Sequence, residues 1–230
     1  MFWEEDEDKT LPYEVPDDVI DINFSIKSKA LPLNHAWVLS KEIQQALPWM
    51  KNDPVAGIHQ IHVAESNNGW LRPDDDEEGA LLYPSHRTKL SLRIPGKKLK
   101  EAQALTGQRL SLDGHEISIG KSRKKELTNA SVIFARYVAS SKDEDENSFL
   151  QRIHNDIQTL TDVKVKKMLC GKSHSISTPG GDIFTRHLMI ADLDSDPSIK
   201  IQQFGLGEYR QLGCGLFLPH KGIKTLKPTE

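Results

Sequence analysis

The sequence has few cysteines, few aromatic residues and no long apolar run. Two cysteines in 230 residues, Cys170 and Cys214, make neither a disulfide framework nor a zinc site, which points to a reducing cytoplasm. No stretch approaches the roughly 20 consecutive apolar residues of a membrane-spanning helix, so no membrane is expected as a partner. The opening MFWEEDEDKT is acidic, where a secretory signal requires positive charge and then an apolar stretch. Net charge is almost absent as well, at −3 from 30 basic and 33 acidic side chains. What the chain does have is a hydrophobic fraction of 37%. That is enough for a packed core in one large domain or in two of roughly 100 residues each.

The near-zero net charge conceals a partition. Residues 1–21 hold 9 acids and one base, the run 74–78 (DDDEE) holds 5 acids and 143–146 (DEDE) holds 4. Outside these three runs stand 15 acids against 29 bases. Acid runs of this kind belong to solvated tails and loops, so the folded body is basic and a polyanion is a reasonable partner.

Periodicity gives the order of elements. Residues 1–18, acidic and containing Pro12 and Pro16, read as a flexible tail. From Val19, apolar Ile20, Ile22, Phe24 and Ile26 alternate with Asp21, Asn23, Ser25 and Lys27, a half-buried strand. Asn34 then caps a helix in which Trp37, Val38, Ile43, Ala46 and Leu47 recur until Pro48. Strands follow at 58–65 and 89–94, a helix at 96–107, and a hairpin at 109–120 around Asp113-Gly114. The order then begins again: a strand at 131–139, a helix at 147–160, strands at 163–171 and 182–193 joined by Pro179-Gly180-Gly181, a helix at 197–205, and a closing strand at 214–220. The expected fold class is therefore α+β, two tandem ferredoxin-like βαββαβ domains over 19–128 and 129–230.

The densest local feature is GLGEYRQLGCG, with Gly205, Gly207, Gly213 and Gly215. Clustered glycines allow backbone to approach a bulky anion and present N–H groups to it. A dinucleotide fingerprint follows a strand and opens a helix. Here the glycines follow a helix and lead into a strand, 15 residues from the last residue, which excludes that reading.

This segment, as GLGEYRQLGCGLF, resembles the glycine-rich loop of the RAMP superfamily of CRISPR-associated proteins. Together with LPLNHAWVLS, GIHQIHVAESNNGW, KMLCGKSH, FTRHLMIADL and GCGLFLPHKG, it makes the chain similar to the repeat-processing endoribonucleases of the sixth Cas family, most of all their myxan-type branch. The resemblance covers about residues 19–224. It implies cleavage of CRISPR precursor transcripts at the base of a repeat hairpin, without metal or other cofactor. The RNA's own 2′-hydroxyl would be the nucleophile, leaving a cyclic phosphate. It also implies the mature guide RNA and other effector-complex subunits as partners.

Such chemistry needs a base near neutrality, an acid for the 5′-oxygen and cations around the phosphorane, and histidine suits the first role. Of nine histidines, His59, His35 and His62 lie in one stretch around the first helix, where the family places its base. They rank in that order. At the helix N-terminus His35 would be held neutral. On a regular strand His59 and His62 would face opposite ways. The tyrosine–histidine–lysine triad of some members is not placed, because Gln44 stands about where the tyrosine is expected.

Phosphate contacts are expected from Lys121, Arg123, Lys124 and Lys125 between the halves. A second group comprises Lys164, Lys166 and Lys167 on a strand, with Lys172, Arg186, Arg210 and the four glycines nearby. Recognition across a sheet face would need aromatic residues on the central strands. Phe134, Tyr137 and Phe184 lack the usual RNA-recognition pattern, so that mode is not expected. The rival reading is a non-catalytic RNA-hairpin-binding subunit with the same fold.

Overall fold

The computed structural model describes residues 13–63 and 79–221. Its strands are β1 (Val19–Lys27), β2 (Leu31–Pro32), β3 (Gly57–Ile58), β4 (Leu81–Leu82), β5 (Lys89–Pro95), β6 (Arg109–Leu112), β7 (His115–Glu126), β8 (Val132–Ala139), β9 (Lys167–Ile176), β10 (Ile183–Ala191) and β11 (Leu218–Pro219). The helices are α1 (Ala36–Ala46), α2 (Leu99–Ala102), α3 (Glu146–Thr161) and α4 (Ser195–Phe204). One sheet runs β3-β5-β1-β7-β6, a second runs β11-β8-β10-β9, and β2 pairs with β4 in a small ribbon. Read as first, second, third and fourth strands of a βαββαβ unit, both sheets place the fourth beside the first and the third between first and second, all antiparallel. This is the tandem ferredoxin-like architecture.

Each sheet buries one face under its helices. In the first half Ile20, Ile22 and Phe24 of β1 meet Leu39 and Ile43 of α1 in one core. In the second, Ile133, Ala135 and Val138 of β8 meet Phe149, Ile153 and Ile157, which recur every four residues along α3. Asp145 caps α3 by accepting the Ser148 N–H at 2.9 Å, and Gly205 at φ 69° stops α4. The hairpin between β6 and β7 turns at Asp113 and Gly114, both with positive φ, the type that matches strand twist.

Several expectations are corrected. Trp37 is 42% exposed, and α1 instead buries Ala36, Leu39 and Ser40 beside the expected Ile43, with Leu47 buried just after the helix; His35 rather than Asn34 occupies the cap position. The strand expected at 58–65 ends at Ile58, because the Ile61 N–H is taken by the His35 Nε2 at 2.9 Å instead of a ladder carbonyl; residues 64 and 65 lie outside the described residues. The closing strand shortens to Leu218–Pro219 because Gly213 and Gly215, at φ 89° and 66°, still belong to the preceding loop. Conversely β7 continues to Glu126, so Lys121, Arg123, Lys124 and Lys125 are strand residues, the last three paired along β1 and Lys121 at the bulge between them and Ile119. Of the expected tail, residues 1–12 lie outside the described residues. Asp18 is tied down, its carbonyl accepting the Gly96 N–H and its carboxylate the Gln203 amide at 2.7 Å.

The halves are joined by polar groups taken deep out of water. Arg93 of β5 is fully buried. It donates to both oxygens of Asp21 on β1 (2.9 and 3.1 Å), and across the junction to the carbonyls of Gln202 (2.6 Å) and Phe217 (2.9 Å). Arg210 donates to the carbonyls of Val55 (2.6 Å) and Gln203 (3.0 Å). Removing one partner of a buried ion pair leaves an unpaired charge and costs roughly 3–5 kcal/mol. Arg93→Ala is accordingly expected to lower unfolding free energy by about that amount, read as an earlier urea midpoint, whereas exposed Arg109→Ala should move it little.

Candidate functional site

The helix-free faces of the two sheets bound a cleft of about 380 Å³. One wall is the outer face of the first sheet, with Asp21 and Asn23 of β1, Lys89 and Ser91 of β5 and Lys125 of β7; Phe134, Arg136 and Tyr137 of β8 form the other. On the first sheet these are the polar alternates of strands whose other residues fill the core; on β8 the bulge in its pairing with β10, between Ala135 and Val138, lets consecutive Arg136 and Tyr137 both reach the cleft. His59, His62 and His220 line it as well. A shallower groove shares Asn23, Lys89 and Lys125 and extends the cleft past Arg123 and Lys124.

His59 follows β3 by one residue, its own N–H still bonded to the Ser91 carbonyl at 3.0 Å. Its side chain is 13% exposed, and Nε2 lies 3.5 Å from Asp21 Oδ1 without making a hydrogen bond. Burial pushes the imidazole below its ordinary value; the carboxylate of Asp21 opposes this, while the charges of Arg93 and Arg210 add to it. Burial alone would raise Asp21, but Arg93, with His59, holds it far below the usual carboxylate range. The result is a neutral imidazole on the wall of a basic cleft, beside an ionised carboxylate.

The other sequence-expected histidines divide. His62 is exposed and lines the same cleft. Because the chain leaves the sheet after Ile58, His59 and His62 are not constrained to opposite faces. His35 is 1% exposed. Its Nδ1 lies 2.9 Å from the Pro32 carbonyl and 3.0 Å from that of Leu33, and its Nε2 accepts from Ile61. Both nitrogens are occupied, so His35 positions the segment that carries His59 and His62.

The cationic residues divide likewise. Lys121, Arg123, Lys124 and Lys125 are exposed on β7; Lys125 lines the cleft, while Lys124 contacts Asp17 at 3.5 Å and Glu126 at 3.2 Å. Lys164 and Lys166 are exposed but precede β9, so strand alternation does not order them. Lys167 opens β9 and pairs with Asp192 at 2.6 Å, and Lys172 is exposed on that strand. Arg186 is half-buried and donates to the Glu144 carbonyl at 2.6 Å. Arg210 is buried against backbone carbonyls; burial, together with Arg93, pulls it down to about 10, and it remains charged at neutral pH.

The glycines answer to packing. A Cβ on Gly205 would strike the Arg210 guanidinium and the Gly215 carbonyl, one on Gly215 the Leu206 backbone, and one on Gly213 would stand 2.9 Å from Gln60 Cγ. Only Gly207 is open around its Cα. The loop therefore locks the second half onto the segment bearing His59, with Gln60 donating to the Leu212 carbonyl at 3.0 Å. Sequence reasoning missed Asp21, Lys89, Arg93 and Arg136, and it set aside Tyr137 and His220, which the structure brings to the cleft. The available signal was polar residues alternating with core residues, above all an aspartate and an arginine within otherwise apolar strands. Among the described residues no group of three or more His, Cys, Asp or Glu could hold a metal ion, and no helix is long and apolar enough to cross a membrane.

A family model described as Cas6 Crispr matches residues 20–222. The CRISPR-associated endonuclease Cas6 of Myxococcus xanthus (strain DK1622) is 24% identical over 200 residues, covering 87% of this chain and 81% of that protein. Among solved structures, a Cas6-related protein from Pyrococcus furiosus superposes with a TM-score of 0.62 at 12% identity, over 88% of this chain and 99% of that one. A RAMP protein described as binding different RNA substrates gives 0.62 at 11% identity, over 86% and 98%. At such identities the structural likeness speaks for the fold.

The state of His59 is directly measurable. With a folded value below the unfolded 6.5, the unfolded chain binds the extra proton first, so His59 adds no instability above pH 6.5 and costs stability as pH falls below it. NMR titration should show the His59 ring still neutral at pH 6.5, and His59→Phe should flatten the loss of stability just below that pH.

Proposed function

The chain belongs to the Cas6 family of CRISPR-associated proteins. From that premise we propose that it is an endoribonuclease that cleaves CRISPR precursor transcripts within the repeat hairpin and remains on the guide RNA as part of an effector complex. The observation that carries the catalytic reading is the neutral, Asp21-flanked His59 on a cleft lined by Lys89, Lys125 and Arg136.

The chemistry follows from that arrangement. RNA carries its nucleophile beside the phosphorus, so the protein must orient the 2′-oxygen in line and move two protons. His59 takes the 2′-proton; the imidazolium that forms is stabilised by the Asp21 carboxylate beside it, which Arg93 keeps ionised and in place. The 2′-oxygen bonds to phosphorus as the bond to the 5′-oxygen breaks. That oxygen takes a proton from a second cleft imidazole, His62 or His220, leaving a 2′,3′-cyclic phosphate and a 5′-hydroxyl. Lys89, Lys125 and Arg136 supply positive charge where the phosphorane gathers negative charge. The exposed cations of β7 extend this field along the groove and suit a hairpin stem held by its phosphates.

The test is cleavage of the cognate repeat RNA in EDTA. Wild-type protein should cut, and a 2′-deoxy nucleotide at the cut site should abolish cutting. His59→Ala should lose about 10²–10⁴-fold in single-turnover rate with RNA affinity retained, and the acidic limb of the wild-type pH–rate profile should lie below pH 6.5. Tight hairpin binding without cleavage would replace this reading with that of a non-catalytic RNA-binding subunit. Full activity of His59→Ala would retire His59 as the base.

A further inference from the structure

From the cleft outward, the helix-free face of the second sheet carries an unbroken run of rings. Phe134 on β8 meets His187 on β10 edge to face at 5.4 Å and His220 beyond β11 at 6.0 Å. Tyr137, after the bulge in the β8–β10 pairing, meets His174 on β9 at 5.7 Å and His187 at 6.4 Å. His174 and His187 stack at 4.4 Å with their planes inclined by 30°. The run thus spans the sheet from β9 to the end of β11, and Phe134, Tyr137 and His220 also line the cleft. Exposed Arg136 places its guanidinium 5.8 Å from the Phe134 ring. Across the bulge, Gly171 gives the His187 ring room: a Cβ there would stand 3.0 Å from that of His187.

Of these rings Tyr137 also packs against a small buried cluster of Ala36, Ile176, Leu212 and Cys214, but no buried core cluster takes in Phe134, His174, His187 or His220. The helix-side core of this half is built from Ile133, Ala135, Val138, Leu188 and Ile190 on the opposite face. Half-buried rings on a helix-free face, with a cation among them and a basic cleft at their border, match what single-stranded RNA requires: π-faces for successive bases and positive charge for the backbone between them. The absent RNA-recognition signature misled because it counts phenylalanine and tyrosine; here histidines supply more than half of the rings.

We propose that this ladder is a stacking platform for unpaired nucleotides that flank the cleaved hairpin, guiding the strand out of the cleft from Phe134 across His187 to His174. The proposal rests on the RNA-processing reading above and specifies which part of the RNA this face takes. It is distinct from the phosphate contacts expected of β7, which suit a paired stem.

The experiment compares binding of three RNAs by the full-length protein: repeat hairpin with its single-stranded flanks, the stem-loop alone, and a random single strand of flank length. A 2-aminopurine in the flank reports stacking. Wild-type protein should bind the flanked hairpin roughly tenfold more tightly than the stem-loop and quench the 2-aminopurine. Phe134→Leu and His187→Leu, which keep apolar bulk and remove a ring, should lose that increment and the quenching, with a smaller effect on the stem-loop. Should either variant fail to fold, the wild-type quenching and flank increment decide alone. Equal wild-type affinity for flanked and bare hairpins without quenching, or folded variants that keep the increment, would overturn the platform. Quenching by any single strand without preference for the repeat hairpin would leave the platform standing and remove the repeat-processing reading instead.

Discussion

The structure turns on one buried charge pair. Arg93 and Asp21 sit on neighbouring strands of the first sheet, but on the face without helices, where the second half covers them. Taking both ions out of water carries a penalty of several kcal/mol each, and the arrangement offsets it by engaging four of the five guanidinium N–H groups. Two go to the carboxylate and two to carbonyls of Gln202 and Phe217 in the other half. A hydrophobic pair could fill the same space, but it could not hold those carbonyls in a fixed register to β1. This contact therefore ties the second half directly to the strand pair that carries Asp21.

The same pair sets the chemistry. Asp21 cannot take up a proton in the working range because Arg93 holds it ionised, so it stays a fixed negative charge 3.5 Å from His59. The glycine loop secures the remaining side of the site. Gly213 lies against Gln60, Gly205 against Arg210, and Arg210 against the Val55 carbonyl just before β3. His35 holds the segment from beneath through Ile61. Three separate contacts therefore converge on residues 55–61, which carry His59 although they form almost no regular strand. Glycines that read as an anion cradle are, in the folded chain, what lets two backbones touch.

The legible parts of the sequence were those in which local and tertiary preferences coincide. The alternation of β1, the Asp113-Gly114 turn, the i, i+4 stripe of α3 and the Gly205 stop of α4 each state a local geometry that packing then uses. What was illegible depended on distant partners. KSRKKE has no strand signature, yet it is a strand because β1 offers a free edge. IHQIHVAE alternates like a strand but leaves the sheet when a histidine 26 residues earlier claims its N–H. The site was half legible for the same reason. Residue types named His59 and the basic groups, whereas burial decided which were available: it withdrew His35 and Arg210, tied Arg186 to a carbonyl, and brought Arg136, Tyr137 and His220 beside His59 from strands more than 70 residues away.

The electrostatics of the cleft contain a compromise that explains why a neutral histidine works there. Cations that stabilise a dianionic phosphorane also disfavour protonating a nearby imidazole, so the field that aids the transition state makes the base weaker. A weaker base accepts the 2′-proton less readily, yet a larger fraction of it is deprotonated near neutral pH, and the best general base lies close to the ambient pH. Asp21 shifts the balance back without adding a titrating group, because Arg93 has already fixed its charge. The carboxylate thereby opposes burial and the two arginines at the imidazole, while lying far enough inside the first sheet that incoming phosphate meets Lys89, Lys125 and Arg136 at the cleft surface. The buried negative charge that supports the base is thus separated by depth from the exposed positive charge that receives the substrate: Asp21 lies buried in the first sheet, Lys89 and Lys125 stand exposed on that same wall, and the facing sheet adds Arg136.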